Sequence, residues 1–342
     1  MNPPRAQAED YVQFLIATQH SYSCLEAGRV QPERSDGAAR PVHDAFTRLL
    51  YRLEPEAGAL WAEAAPQVER TRGVLVIDDS TLDKPYATKM ALVTHHWSGK
   101  HRAVVDGINL ITLLWTDGER HIPCDYRIYD KVHDGLTKND HFQAMLHTAQ
   151  AREFTPAYVC FDAWYSSLEN LKRVRDCGWH WFTQLKANRQ VNPDNTGLRA
   201  LRDCDISPQG TVVHLKGYGF VKVFRIDVPH DATENNTAPQ QTDYWATSDL
   251  GLDELGRLRL SETSAMIEHY HRGIKQFCGV EKGQMRLARA QRNHIGLALR
   301  AFLRLEVYCY SHGLTWFHAK LDIIRAAVTH YLADPLYTLS TA

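Results

Sequence analysis

The sequence predicts an α/β protein: a mixed sheet with helical segments at both ends and a β-rich stretch ahead of the last helices. Three observations carry this. Val74-Leu75-Val76-Ile77 is an apolar β-former run that ends in Asp78-Asp79-Ser80-Thr81, which reads as a strand covered on both faces. A second run, Ala157 to Phe161, ends the same way in Asp162. From Ser264 to Phe277 the apolar residues Ile267, Tyr270, Ile274 and Phe277 recur at helical spacing, a buried stripe.

Composition bounds the rest. A chain of 342 residues has room for two or three domains and a sizeable core. With 44% hydrophobic and 23% charged residues it is neither disordered nor fibrous. A net charge of −1 means that any polyanion site must be a local patch. The seven cysteines are scattered and contain no CxxC, which argues for reduced thiols in a cytosol-like compartment and against structural zinc. MNPPRAQAED lacks the apolar region of a signal peptide, and no run approaches the ~18 apolar residues of a membrane span. A soluble, cytoplasmic protein without membrane partners is expected.

Taken in order, residues 1–70 read as helical. Tyr11, Phe14, Leu15 and Leu25 punctuate a polar background, a Gly/Pro/Arg-rich stretch follows from Gly28 to Pro41, and Phe46, Leu49, Leu50 and Leu53 form an i, i+3, i+4, i+7 stripe. The other faces carry His43, Thr47, Arg48 and Arg52. That pattern suits a DNA-binding domain docking in a major groove, and equally an ordinary helical bundle. Strands are expected at 74–79, Met90 to Trp97 and Ala103 to Trp115, with a turn at Ser98-Gly99-Lys100-His101 and antiparallel pairing across the short links. Thr137 and Asp140 are spaced as a capping box opening a helix to about Gln150. After Asp162 a helix carries Leu168, Leu171 and Val174, and Trp179 to Leu185 forms a further strand running into Lys186 and Arg189. Residues 190–248 read as a β-rich insertion: a loop from Asn192 to Asp205, a hairpin of Thr211–Leu215 and Phe220–Val228, a polar disordered loop from Pro229 to Thr242, and a strand at Tyr244–Thr247. The catalytic core is expected over 71–310 and a helical C-terminal segment over 311–342.

The chemistry lies in the carboxylates. Two acids at the end of a buried strand are costly unless a cation neutralises them; otherwise Asp79 or Ser80 simply caps the next segment of chain. Asp78 or Asp79, Asp162 and Glu268 form an all-oxygen ligand set without a Cys/His group, which suits Mg²⁺ or Mn²⁺ better than zinc. Two such ions ~3.5–4 Å apart activate a water or 3′-hydroxyl and stabilise the leaving oxygen in phosphodiester attack. From Glu268 to Arg304 eight Lys/Arg stand against two acids, a local +6, and include Arg272, Lys275, Lys282, Arg286 and Arg289 as candidate phosphate contacts. Each of these residues also has a plainer reading, as strand cap, solvated helix face or surface charge. Trp164, Tyr165 and Trp179 are expected in the core or scaffold rather than as base-stacking groups. His95 and His96 are adjacent on a strand and face opposite ways, so a joint ligand role is not expected.

These residues resemble the DDE transposases of bacterial insertion sequences, in the group with a β-rich insertion before the catalytic Glu. The resemblance rests on VIDDSTLDKP (76–85), HHWSGKHRAVVDGINL (95–110), CFDAWYSSLENLK (160–172), WFTQLKANR (181–189), YWATSD (244–249) and IEHYHRGIKQ (267–276), in that order. It implies an RNase H-like fold, two divalent ions and cut-and-paste DNA transposition in the bacterial cytoplasm at the nucleoid. It further implies a homodimer in a synaptic complex and double-stranded DNA partners, the terminal inverted repeats and the target. By position it makes Asp78 the first ligand, with Asp79 as competitor, Asp162 the second and Glu268 the third. Lys275 matches the basic residue of the signature helix, whereas Ser261 and Ser264 stand where that helix carries Tyr and Arg. Phosphate handling then falls to Arg272, Lys186 or Arg189. The alternatives are an RNase H-like nuclease that cuts without strand transfer, and a domesticated DNA-binding protein. Glycoside hydrolysis by paired carboxylates fits the basic surroundings of Glu268 less well.

Overall fold

The computed structural model describes residues 4–34, 37–98, 103–227 and 242–337. The expected turn at Gly99–His101 and nearly all of the expected loop from Pro229 to Thr242 lie outside them. Four helices open the chain, α1 (Ala8–Ala17), α2 (Cys24–Arg29), α3 (His43–Arg52) and α4 (Gly58–Ala64). Strands β1 (Val74–Asp83), β2 (Thr94–Ser98), β3 (Ala103–Thr116) and β4 (Ile122–Ile128) follow, then α5 (Lys131–Asp134) and α6 (Lys138–Ala151). Next come β5 (Tyr158–Phe161), α7 (Leu168–Asp176), β6 (His180–Leu185), and β7 to β11 (Gln190–Asn192, Arg199–Ala200, Thr211–Leu215, Gly219–Asp227, Thr242–Thr247). The chain closes with α8 (Glu254–Phe277), α9 (Ala288–His312) and α10 (Trp316–Ala333). It divides into two compact units, one of residues 1–67, 81–109 and 269–342, the other of 68–80 and 110–268.

The second unit is built on the sheet. Its strand order is β4-β3-β1-β5-β6-β11-β10-β9-β7-β8. The run β4-β3-β1-β5-β6, with β1, β5 and β6 parallel, is an RNase H-like core. Val74 to Ile77 are buried, as a strand covered on both faces requires. The chain enters β1 through Gly73 at φ +76, where a Cβ would lie 2.7 Å from the Thr116 carbonyl oxygen, so only glycine fits that approach. The insertion does not stand apart: β11 pairs antiparallel with β6, and the expected hairpin, β9 with β10, extends the same sheet. Its Asn192–Asp205 segment is not all loop, since β8 pairs there with β7. At α6 both capping-box hydrogen bonds form between Thr137 and Asp140.

The first unit is helical apart from the end of β1 and the hairpin of β2 on β3. Helices α1, α3 and α4 pack on α9, burying Tyr11, Phe14, Phe46, Leu49 and Leu50. The bundle reading therefore accounts for their apolar faces. The expected strand from Met90 is shorter: β2 begins at Thr94, because the Ala91 amide bonds the Arg286 carbonyl and Leu92 turns to φ +72. His95 pairs with Asp106, and a His96 ring nitrogen lies 2.7 Å from the Thr94 hydroxyl. The seven cysteines are all unpaired, and no described helix is long and apolar enough to cross a membrane.

Candidate active site

Register brings the two acids together. β1 and β5 pair in parallel with Ile77 opposite Phe161, so Asp78, midway along β1, and Asp162, just past the end of β5, each follow the last matched pair; β1 continues to Asp83, beyond the expected end at 79. Neighbouring strands lie about 4.8 Å apart, and the carboxyl end of a strand such as β5 is where ligands of open α/β sheets gather. Glu268 comes from α8, where Ile267 and Tyr270 are buried and turn the opposite face outward. Asp78, Asp162 and Glu268 all line one cavity of about 360 Å³, with Gln184, Trp245, Ser261 and Ser264.

Electrostatics marks Asp78. Burial, the neighbouring Asp79 and then Asp162 and Glu268 push its carboxyl well above the usual carboxylate range, against the pull of the Asp79 backbone amide. Asp162 and Glu268 are exposed, and Asp162 Oδ1 accepts from the Ala163 amide at 2.6 Å. Three carboxylates gathered at one cavity are what a divalent cation neutralises, and an all-oxygen set is right for Mg²⁺ or Mn²⁺. Among the described residues, however, no three His, Cys, Asp or Glu side chains close on a single ion. The donors fit the ion in kind and face a shared cavity rather than a finished coordination shell.

Asp79 is elsewhere. Alternation along the strand turns it away from Asp78, and its oxygens are taken by Lys138 Nζ at 2.8 Å and Tyr165 Oη at 2.9 Å. Unlike Asp78, it does not line the carboxylate cavity. Of the two, Asp78 is the one that lines the cavity with Asp162 and Glu268.

The basic residues divide. Lys186 is exposed and Arg189 half-buried, just past β6, and neither lines the carboxylate cavity. In the first unit Arg272, Lys275 and Lys282 line a separate cavity of about 650 Å³ with His20, His271 and Glu281, and Lys275 Nζ donates to the Thr81 carbonyl at 2.8 Å. Arg286 is exposed. Arg289 is not an open contact: its guanidinium donates to the Arg52 and Leu53 carbonyls at 3.1 and 3.0 Å and pairs with Glu54. It closes the orphan carbonyls at the end of α3. Arg300 and Arg304 are likewise held, by Glu63 and by Glu9 with Glu63. The local +6 read from the sequence is thus partly neutralised by acids from the N-terminal helices.

Two further corrections concern aromatic and polar neighbours. Trp164 is not core: it is 62% exposed, with Lys138 Nζ 5.8 Å from its ring, whereas Tyr165 and Trp179 are buried. Gln184 carries no signal of its own in the sequence. It follows Thr183, the β6 partner of Phe161, and so lies beside Asp162 on the next strand. Its position within the WFTQLKANR run was the available clue.

Residues 3–203 match the family model described as DDE superfamily endonuclease, more than half of the chain. The match ends before Glu268, whose place rests on the cavity geometry. No curated protein matches the chain. Among solved structures, the chain is similar to the piggyBac transposase synaptic complex with hairpin DNA at a TM-score of 0.47 and 8% identity, over 78% of this chain and 55% of that one. It is similar to the Drosophila P element transposase strand transfer complex at 0.28 and 9%, over 58% and 48%. The chain thus spans about half the length of these solved chains.

Proposed function

Because the chain belongs to the DDE superfamily endonucleases, we propose that it is a DNA transposase, which hydrolyses phosphodiesters at element ends and joins the freed 3′-hydroxyl to target DNA. The observation that carries this reading is that Asp78, Asp162 and Glu268, from three separate elements, line one cavity. These residues would hold two divalent ions, Mg²⁺ or Mn²⁺. Bound there, the ions would supply Lewis-acid stabilisation of the leaving oxygen and a lowered pKa for the attacking water or hydroxyl. Asp78 and Asp162, fixed by strand register, orient one side of the cavity, and Glu268 closes it from α8. Ser264 and Ser261, one and two turns before Glu268, leave the rest of that helix face small and uncharged. Room is left there for a DNA strand, while Arg272, Lys275, Lys282, Arg286, Lys186 and Arg189 are the proposed phosphate contacts. The N-terminal helices are the proposed DNA-recognition element, and a homodimer is proposed because two ends must be cut together.

A nuclease without strand transfer is the reading to separate from this, since Ser261 and Ser264 replace the Tyr and Arg of the family signature. Protein with Mg²⁺ and DNA bearing the element's terminal inverted repeats is expected to nick at the repeat end. Supplied with pre-cut ends and a plasmid, it is expected to yield joined products. Nicking without joining would leave the nuclease; neither product would remove both.

A further inference from the structure

Asp79 is an acid that the proposed centre does not use, yet it is firmly held. Each of its oxygens has a donor, Lys138 on Oδ2 at 2.8 Å and Tyr165 on Oδ1 at 2.9 Å. A carboxylate with one partner can swing about its Cβ–Cγ bond, whereas one held at both oxygens cannot. The two donors come from informative places. Tyr165 lies three residues past Asp162, and its backbone N–H donates to the Asp162 carbonyl at 3.0 Å. Its ring is fully buried and stacks on Phe142 at 5.3 Å. Lys138 opens α6 directly behind the Thr137 cap, with its ammonium 5.8 Å from the rings of Tyr129 and Trp164.

One residue beyond Asp78, therefore, β1 is tied to the turn that follows Asp162. The β1–β5 pairing runs to Ile77 and Phe161 and stops there, so the separation of the two acids just beyond depends on what else joins β1 to the turn after β5. We propose that Asp79, Tyr165 and Lys138 are positioning residues, a clamp that sets the spacing of Asp78 and Asp162 for a divalent cation. The Lys138 ammonium also neutralises Asp79, so that a fourth carboxylate does not compete for the ion. This inference rests on the proposed carboxylate centre. It gives the second acid of the Asp-Asp pair a role distinct from that of a ligand.

The test is Mn²⁺ binding by the intact 342-residue chain without DNA, followed by the paramagnetic resonance of free Mn²⁺. Asp162→Ala serves as the control for the centre. Tyr165→Phe removes one hydroxyl and keeps the stacked ring, and is expected to bind Mn²⁺ about 10–100-fold more weakly, the range for outer residues that orient metal ligands. Its circular dichroism is expected to be unchanged, since a merely structural role would lower the melting temperature and leave the affinity of the folded protein alone. Lys138→Arg, which keeps the charge, is expected to bind close to wild type. Should Tyr165→Phe not fold, Asp79→Asn is read in its place with the same expectation. Wild-type affinity in the decisive variant, with binding lost in Asp162→Ala, overturns the clamp and leaves the centre standing. No Mn²⁺ binding by the wild type, or undiminished binding by Asp162→Ala, overturns the centre and the clamp with it.

Discussion

Asp78 and Asp79 are adjacent in sequence and opposite in circumstance. The first is desolvated and surrounded by carboxylates, the second is neutralised by Lys138 and bonded by Tyr165. This difference has a stability consequence of definite sign. A carboxyl whose folded pKa is raised binds protons more tightly folded than unfolded, so it destabilises the fold as pH rises above its ordinary value. For Asp78 that ordinary value is 3.8. In EDTA at neutral pH, Asp78→Asn is therefore expected to melt a few degrees above wild type, and the gap is expected to vanish as the pH falls to about 4. Melting curves across pH check this. A variant less stable than wild type at pH 7 would mean that the Asp78 charge is already compensated.

At the scale of elements, the cap of α6 and the buried link between α1 and α9 each make a prediction. Thr137→Ala removes one half of the capping box and is expected to cost about 1 kcal/mol in denaturant unfolding. His294, fully buried, contacts Tyr11 Oη at 3.0 Å through Nδ1 and the Gly279 carbonyl at 3.1 Å through Nε2, an arrangement that suits the neutral ring donating from Nε2. Burial lowers its pKa from 6.5 to about 4. The unfolded chain then takes up the proton first, so stability present above pH 6.5 is lost as the pH falls toward 4, by about 3 kcal/mol. His294→Asn is expected to start lower and to show a correspondingly flatter profile, and parallel profiles would refute the assignment. The features legible in the sequence at this scale are those set by local pattern. Thr137 and Asp140 announce α6 because both bonds are internal to four residues, and the stripe through Ile267, Tyr270 and Ile274 announces α8 because burial follows the helix period. β4 escaped because its buried face includes Asp125, paired with Arg127 at 2.9 Å, which breaks the expected alternation. The turn at Leu92 escaped because its cause, the Arg286 carbonyl, is supplied from a distant part of the chain.

For the whole molecule, charge counted along a window misleads for the same reason. Arg289, Arg300 and Arg304 belong to a basic run in sequence, but their partners Glu54, Glu63 and Glu9 lie more than two hundred residues away. On the proposed function, DNA affinity would be carried by the cations that remain exposed. Lys282→Gln is expected to reduce the slope of log Kobs against log salt by about 0.9, the value for one lost phosphate contact. Arg304→Gln is expected to lower the melting temperature and leave that slope unchanged. An equal loss of slope in both would restore the full basic face to DNA binding. The central claim is that Asp78, Asp162 and Glu268 form one metal-dependent centre for cutting DNA. Its most direct measurement is Mg²⁺-dependent nicking of DNA carrying the element's inverted repeats by wild type, Asp78→Asn, Asp162→Asn and Glu268→Gln, each shown to be folded. The account predicts cleavage by the wild type that EDTA abolishes, and none by the three variants. Wild-type rates in any one variant, or cleavage that persists in EDTA, would contradict it.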